Sequence, residues 1–160
     1  MLLNRSRVLE LMKEGKIVID PFDEELLGEG SLDIRIGEKV KRLKKVNDSL
    51  ALEEKGVEEI LKEKFEDLDV RDGQILIEPY DVIVAETYEK IVLKRVIGWL
   101  VNRHRYASLG INVSGFIFPK DKAKPSKQWI VIHNVGGRKV KLKVGEAVCQ
   151  LVFFQCEIKK

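Results

Sequence analysis

The chain has 160 residues, of which 44% are hydrophobic and 34% charged, and its formal net charge is +3. This length predicts a single domain over residues 1–160. The small positive charge, without a recognisable nucleic-acid-binding module, argues against nucleic acid as a partner. No apolar run approaches the roughly 20 residues of a membrane span, and the first charge follows soon after Met1-Leu2-Leu3, at Arg5. We therefore expect a cytoplasmic protein with no membrane partner.

The N-terminal half predicts two helices and at least two strands. Residues 4–14 place apolar side chains at helical spacing before Gly15, which predicts a short helix. Residues 31–37 alternate between apolar and polar, which predicts a half-buried strand, and residues 39–44 continue as its partner or as an edge strand. Residues 53–66 change to a helical period and predict an inserted amphipathic helix. We expect that helix to pack on the outside of a sheet or to form a subunit contact. Its apolar stripe comprises Val57, Ile60, Leu61, Phe65 and Leu68.

The remaining elements are short apolar runs separated by turn residues. These predicted strands cover 17–19, 74–78, 82–86, 91–93, 97–101, 111–118, 129–133, 139–144 and 148–154. Short strands with turns about every 8–12 residues are typical of a sandwich, jelly roll or barrel. The sequence therefore predicts an all-β core with two peripheral helices.

A lysine-rich loop follows the strand that ends at Phe118. Its residues 120–127 read KDKAKPSK, so that Asp121 is the only acid among four lysines. Such a loop can hold an anion, with Asp121 placed to position water or a metal ion. The alternative is a solvated hairpin tip with ordinary surface charge.

Several common catalytic motifs are absent from the sequence. There is no zinc deaminase signature, no HExxH, no Walker A loop, no GxGxxG and no GxSxG. Cys149 and Cys156 lie seven residues apart without a CxxC partner and are interpreted as reduced thiols. The remaining chemical groups are carboxylates, arginines, lysines and backbone N–H groups. This set suits phosphate chemistry with Mg²⁺ carried by the substrate.

Four segments resemble the dCTP deaminase and trimeric dUTPase superfamily, in particular archaeal-type dCTP deaminase-like proteins. Residues 17–37, IVIDPFDEELLGEGSLDIRIG, resemble the deaminase opening, and residues 75–93 resemble the segment with a Thr-x-Glu strand. Residues 101–111, VNRHRYASLGI, resemble Gly-Arg-Ser-Ser-Leu-Ala-Arg-Leu-Gly-Leu. Residues 144–154, VGEAVCQLVFF, resemble the closing Pro-Gly-x-x-x-x-Gln-Leu-x-Phe strand.

This resemblance implies a fold and a set of site residues. The expected fold is a dUTPase-like distorted β-barrel or jelly roll with a short N-terminal helix and one inserted amphipathic helix. Counting from Gly110 places Asp121 on the aspartate that activates water in dUTPases, and Asn134 on an asparagine thirteen residues later. The resemblance also implies a homotrimer with active sites at subunit interfaces, and it gives Asp33 a weak metal role through water and substrate phosphates. The implied substrate-binding residues are Arg103, His104, Arg105, Phe118, Lys120, Lys122, Asn134 and Gln150.

One departure from the resembled pattern decides between the two activities. The deaminases carry a glutamate three residues before that asparagine as the general acid and base, and this position here is Val131. The sequence therefore favours a dUTP diphosphatase that forms dUMP and pyrophosphate with Mg²⁺, with Asp121 as the catalytic residue. One alternative is a dCTP deaminase in which His133 replaces the glutamate. Another is a non-catalytic relative, because the Ser-Ser pair and the Pro-Gly-aromatic-x-Gly segment are replaced.

Overall fold

The computed structural model describes residues 1–47, 49 and 55–155. The helices are α1 (Arg5–Lys13), a 3-10 helix (Glu24–Leu26), α2 (Val57–Lys64) and α3 (His104–Ala107). The strands are β1 (Ile17–Asp20), β2 (Leu32–Leu43), β3 (Phe65–Asp67), β4 (Gln74–Ile77), β5 (Val82–Leu93), β6 (Val96–Asn102), β7 (Ile111–Ile117), β8 (Ser126–Asn134), β9 (Val140–Lys143) and β10 (Ala147–Gln155). None of the described helices is both long enough and apolar enough to cross a membrane.

Six antiparallel strands close into a barrel. The strands β5, β8, β7, β6, β10 and β2 pair in that order, and β2 pairs back to β5. β1 extends the pairing of β5, β3 extends that of β2, and β4 pairs with β9 in a separate two-stranded sheet. Closure leaves the six barrel strands without a free edge over their paired lengths. The predicted all-β barrel with two peripheral helices is confirmed.

The core fills the barrel with branched aliphatic side chains. Ile34, Ile36, Ile83, Ile132 and Phe153 are all fully buried, and on β2, β8 and β10 such buried positions alternate with more exposed ones. Burying one such side chain is worth about 1.5–3 kcal/mol. The alternation fixes which face of each strand points inward, because a one-residue slip would expose the whole set.

β2 is one strand of twelve residues where the sequence predicted two segments. Its first half pairs with β10 and its second half with β5 and β3. The register against β5 shifts between Ile36 and Val40, around Gly37. A Cβ atom at Gly37 would lie 2.9 Å from the carbonyl oxygen of Glu86. The glycine therefore lets the two backbones approach where the strand bends, and the prediction of a break was wrong for that reason.

β5 is likewise continuous, although its polar residues predicted a break. Thr87 and Glu89 are buried, at 0% and 2% exposure. The Thr87 hydroxyl donates to the carbonyl of Glu89 at 2.7 Å, and it accepts from the Gln128 N–H at 2.9 Å. These bonds satisfy the polar groups inside the sheet, so the strand does not have to end there.

α2 packs on the outer face of β5 and β8. Of the two expectations for the inserted helix, packing on the outside of a sheet or a subunit contact, this agrees with the first. Leu61 and Phe65 are buried in a second cluster with Val84, against which Trp129 and Val131 pack. Val57 and Ile60 remain 61% and 37% exposed, so only part of the predicted apolar stripe is buried. The helix ends at Lys64 because Phe65 has extended dihedral angles and begins β3. Residues 53 and 54 of the predicted helix lie outside the described residues.

Candidate functional site

Asp33, Arg103 and Gln150 meet where β2, β6 and β10 lie side by side. Gln150 faces Asp33 on β2 and Val101 on β6, and Arg103 directly follows β6. The Gln150 amide donates to Asp33 Oδ1 at 3.3 Å, and Arg103 Nη2 lies 3.7 Å from Asp33 Oδ2. Arg103 Nη1 also donates to the Ala147 carbonyl at 2.6 Å. We call Asp33, Arg103 and Gln150 the polar cluster.

The cluster is half-buried and combines a carboxylate, a guanidinium and an amide. The side chains of Asp33 and Arg103 keep 23% and 27% exposure. Guanidinium groups bind phosphate oxygens through paired N–H donors, and an amide can donate to a further oxygen. The arrangement is therefore suited to an anionic ligand that enters from solvent.

A buried ion pair lies beside the cluster, and the sequence did not predict its contact. Arg35 Nε donates to Glu89 Oε1 at 2.7 Å, and the Arg35 backbone N–H donates to Glu89 Oε2 at 3.2 Å. The Arg35 guanidinium also lies 4.5 Å from the centroid of the Tyr88 ring. In the sequence, Glu89 was marked only as part of the resembled Thr-x-Glu strand. That resemblance did not indicate Arg35 as its partner.

The Cys149 thiol lies in the protein interior close to both acids of this region. Burial raises the pKa of Cys149 to about 12, and the charges of Glu89 and Asp33 act in the same direction. A thiol with so high a pKa is protonated at neutral pH and is a poor nucleophile. Cys149 therefore belongs to the scaffold of the site.

α3 carries three of the residues around the cluster. His104 and Arg105 are exposed, while Tyr106 is buried at 7% exposure. Burial raises the pKa of the Tyr106 hydroxyl, and the charge of Glu146 together with a hydrogen bond to it raises that pKa further. The sequence predicted no helix over these residues, because four residues give too short a periodic signal.

Asp121 lies away from the polar cluster within one chain. It is exposed and lines a cleft with Lys16, Lys94 and Arg95. Gly98 on β6 pairs with Ile117 on β7, just before the loop that carries Asp121. Arg103 comes five residues after Gly98, directly past the end of β6, which corresponds to roughly 17 Å at the rise of a strand. One chain therefore does not bring the predicted catalytic carboxylate to Arg103 and Gln150.

The other predicted residues of the lysine-rich loop are exposed around Asp121. Phe118 is 64% exposed, and Lys120 and Lys122 are exposed as well. The Lys120 N–H donates to the Leu93 carbonyl at 2.8 Å, which ties the loop to the end of β5. These residues thus share a surface with Asp121 and lie apart from the polar cluster.

Asn134 has a structural role in this chain. It is 1% exposed, and its amide donates to the carbonyls of Glu78 and Arg138 at 3.1 and 2.8 Å. Its Oδ1 accepts from the Gly136 N–H at 3.1 Å. The side chain therefore joins the loop after β4 to the loop after β8 and has no group directed to solvent, so we drop Asn134 from the proposed substrate-binding residues.

Val131 occupies an apolar environment. Its side chain packs against the cluster formed by Leu61, Phe65 and Val84 beneath α2. His133 lies two residues along the same strand and is partly buried. A carboxylate at position 131 would have to lie beside apolar side chains, whereas the valine contributes to the contact with α2.

The described residues contain no group of three or more His, Cys, Asp or Glu side chains that could hold a metal ion. Asp33 is the one carboxylate in the polar cluster, and it is already engaged by Gln150 and Arg103. This donor set does not fit a protein cage for Mg²⁺, which prefers octahedral oxygen ligands. It does fit a magnesium ion that arrives with the phosphates of a ligand.

Comparison with known proteins extends this description. A family model described as dCTP deaminase-like matches residues 2–156. The "dCTP deaminase, dUMP-forming" of Methanobrevibacter smithii is 30% identical over 158 residues, which cover 95% of this chain and 79% of the relative. The "dCTP deaminase" of Caldivirga maquilingensis is 30% identical over 149 residues, covering 91% of this chain and 79% of the relative.

A solved structure shares the fold. The 2'-deoxycytidine 5'-triphosphate deaminase from Agrobacterium tumefaciens superposes with a TM-score of 0.70 at 15% identity, over 95% of this chain. This chain spans 47% of the length of that protein. The match of the family model over nearly all of the chain, together with these two relatives, shows that the chain belongs to the dCTP deaminase-like family.

Proposed function

We propose that this protein hydrolyses dUTP to dUMP and pyrophosphate within pyrimidine deoxynucleotide metabolism. The observation that carries the proposal is the convergence of Asp33, Arg103 and Gln150 where the neighbouring strands β2, β6 and β10 lie side by side. Relatives named as dUMP-forming support a nucleoside triphosphate as the substrate and dUMP as the product. Val131 in place of a glutamate supports hydrolysis over deamination, because valine neither donates nor accepts a proton.

The proposed reaction needs phosphate binding and an activated water molecule. Arg103 and Gln150 would bind phosphate oxygens as donors, and Arg105 would add a second guanidinium. Asp121 would accept a proton from the attacking water as a new oxygen–phosphorus bond forms at the α-phosphorus. The bond from that phosphorus to its bridging oxygen breaks, and pyrophosphate leaves. Magnesium travels with the triphosphate and neutralises part of its charge.

The proposed active site needs more than one chain. Asp121 and the polar cluster lie near opposite ends of the β6–β7 hairpin, so we propose a homotrimer whose sites combine the two from different subunits. An exposed aromatic face on β6 and β7 supports an interface there. Trp99, Phe116 and Phe118 are 45%, 57% and 64% exposed and stack in a row, with centroids 5.9 and 6.1 Å apart. Contiguous exposed apolar surface of this kind marks interaction sites.

Deamination of dCTP is the second candidate, and the names of the relatives favour it. It requires a proton donor and acceptor near the base, and His133 is the titratable residue that lies closest to Val131 along β8. The apolar surroundings of Val131 speak against this candidate.

Product analysis separates these possibilities. The protein is incubated with Mg²⁺ and either dUTP or dCTP, and the products are resolved by chromatography. We expect dUMP and pyrophosphate from dUTP, with turnover abolished by Asp121→Asn and retained by Asp69→Asn, an exposed carboxylate outside the cluster and the loop. A uracil product from dCTP would support the deaminase. Absence of turnover with both nucleotides would contradict both enzymatic proposals and support a non-catalytic nucleotide-binding relative.

A further inference from the structure

Tyr106 is a common neighbour of two guanidinium groups. The ζ carbon of Arg103 lies 5.7 Å from the centroid of its ring, and that of Arg105 lies 5.9 Å from the same centroid. The face of an aromatic ring attracts cations within about 6 Å of its centroid. One buried ring thus holds one arginine of the polar cluster and a second arginine that the cluster does not otherwise contact.

The two arginines differ in how their charge is compensated. Arg103 lies 3.7 Å from Asp33 and donates to the Ala147 carbonyl. Arg105 is exposed, and among the described residues its guanidinium has no carboxylate within ion-pair distance. Its guanidinium lies over the Tyr106 ring. Arg105 therefore keeps its charge and its N–H donors available for a ligand, while the ring limits where the guanidinium can go.

The ring itself is held by its surroundings. Burial fixes its body, and the nearby Glu146 carboxylate raises the pKa of its hydroxyl, which favours the protonated phenol. Glu146 follows Gly145, whose N–H donates to the Ile36 carbonyl on β2 at 2.7 Å. Tyr106 thus lies beside the turn that precedes β10, the strand that carries Gln150. A ring held in this way can present both guanidinium groups in a reproducible position.

The sequence around the ring departs from the resembled motif at neighbouring positions. The motif reads Arg-Ser-Ser-Leu where this chain reads Arg103, His104, Arg105 and Tyr106. A leucine at position 106 would fill the same interior position but would offer no π face. The arginine that replaces a serine is therefore accompanied by the aromatic residue that contacts it.

From these contacts we infer that Tyr106 is a positioning residue that holds Arg103 and Arg105 together as the cationic wall of a polyphosphate site. The ligand is the tripolyphosphate portion of a nucleotide, and the inference rests on the proposed function for that identity. The ring acts through the two arginines and does not touch the reacting atoms.

The test measures binding of inorganic tripolyphosphate by calorimetry, so that the result does not depend on turnover. Tyr106→Leu removes the π face, and we expect its Kd to rise about tenfold, equivalent to about 1.4 kcal/mol. Tyr106→Phe keeps the face and loses only the hydroxyl, so it should bind within about twofold of the wild type. The matched control is Tyr88→Leu, because the Tyr88 ring contacts Arg35, whose charge is compensated by Glu89. This control should leave the Kd unchanged.

Two further measurements separate positioning from a general loss of structure. Arg105→Gln should weaken binding by a similar factor, and in the double variant with Tyr106→Leu the two effects should add only in part, because both remove the Arg105–Tyr106 contact while only Tyr106→Leu also releases Arg103. If dUTP is hydrolysed, Tyr106→Leu should raise KM with little change in kcat. Should Tyr106→Leu not fold, Tyr106→Met provides a flexible apolar side chain without a π face.

Wild-type affinity in folded Tyr106→Leu or Tyr106→Met would overturn the inference, and so would equal losses in Tyr106→Leu and Tyr106→Phe. The outcome is distinguishable from failure of the proposed function. A protein that binds tripolyphosphate in a Tyr106-dependent manner but does not hydrolyse dUTP supports this inference and contradicts the hydrolase. A protein that hydrolyses dUTP but whose affinity for tripolyphosphate does not depend on Tyr106 supports the hydrolase and contradicts this inference.

Discussion

The side chains of Asp33 and Gln150 meet across the β2–β10 pairing, 117 positions apart in sequence, with the Gln150 amide donating to Asp33 Oδ1 at 3.3 Å. Arg103 Nη2 approaches the other carboxylate oxygen of Asp33 at 3.7 Å. Asp33 therefore orients both groups that we propose bind phosphate. We propose that Asp33 orients Arg103 and Gln150, and that these two residues contact the ligand.

Gln150→Leu should weaken nucleotide binding more than it weakens the fold. The substitution keeps most of the volume of a half-buried side chain but removes the amide donor, and a hydrogen bond to a charged group is worth about 1.5–3 kcal/mol. We expect the Kd of an imido analogue of dUTP to rise at least about tenfold. Gln74→Leu, at an exposed position of β4, is the control. Unchanged affinity in Gln150→Leu would remove Gln150 from the proposed site.

Glu89→Gln should destabilise the protein because it leaves the Arg35 guanidinium without its counter-ion. Breaking a buried ion pair by removing one partner costs about 3–5 kcal/mol. Since the Arg35 side chain keeps 20% exposure, we expect a loss near 3 kcal/mol, at the lower end. The free energy of unfolding is measured by urea denaturation. Asp67→Asn breaks the exposed pair with Lys41 and should change stability little, so equal losses in the two variants would contradict this account.

The Cys149 thiol should make the protein less stable at alkaline pH. Burial raises the pKa of Cys149 from 9.0 to about 12, so the native state retains a proton that the unfolded state releases. This contribution is fully present below about pH 9 and is lost as the pH rises toward 12. Cys149→Ala should therefore show a smaller decrease in the free energy of unfolding over that range. Equal slopes in the two proteins would contradict the assignment.

Thiol labelling gives an independent check on Cys149. In a Cys156→Ser background, a thiol reagent at pH 8 should react with Cys149 only in denaturant, because the native thiol is both buried and protonated. Rapid labelling of the native protein would show that this thiol is accessible.

Val131→Glu should destabilise the protein, and we expect it to leave dCTP unchanged. The new carboxylate would enter a cluster with Leu61 and Phe65, where an unpaired polar group costs about 1–3 kcal/mol. Val135→Glu, at a position that is 58% exposed, should have little effect on stability. Conversion of dCTP by Val131→Glu would mean that the rest of a deaminase site is present.

Phe116→Lys should dissociate the proposed trimer. The lysine places a charge in the row formed with Trp99 and Phe118, and a charge at the centre of an apolar interface is costly to desolvate. Light scattering should give a trimer mass for the wild type and a monomer mass for the variant. Tyr80→Lys is the control, because that ring is 76% exposed outside this row. A monomeric wild type would contradict the trimer and the shared site.

The fold followed from the sequence where patterns were local. Alternation over residues 31–37 predicted the inward face of β2, and apolar spacing over residues 4–14 before Gly15 predicted α1, which spans Arg5–Lys13. The lysine-rich loop was placed between two strands, as β7 and β8 show. The breaks predicted within β2 and β5 were wrong. There, a close backbone approach at Gly37 and a paired Glu89 allow polar or flexible residues to continue a strand.

The sequence alone determined the chemistry that is available: the arginines and lysines, the valine in place of a glutamate, and the absence of common metal and nucleophile motifs. Only the tertiary structure decided which of these groups meet. The polar cluster joins three strands that are distant in sequence. All polar groups of the Asn134 side chain are hydrogen-bonded to loop backbone, and Asp121 lies apart from Arg103. Local patterns report which face of a strand is apolar, but strand order and register set the neighbours across a sheet, and these depend on contacts that no single segment contains.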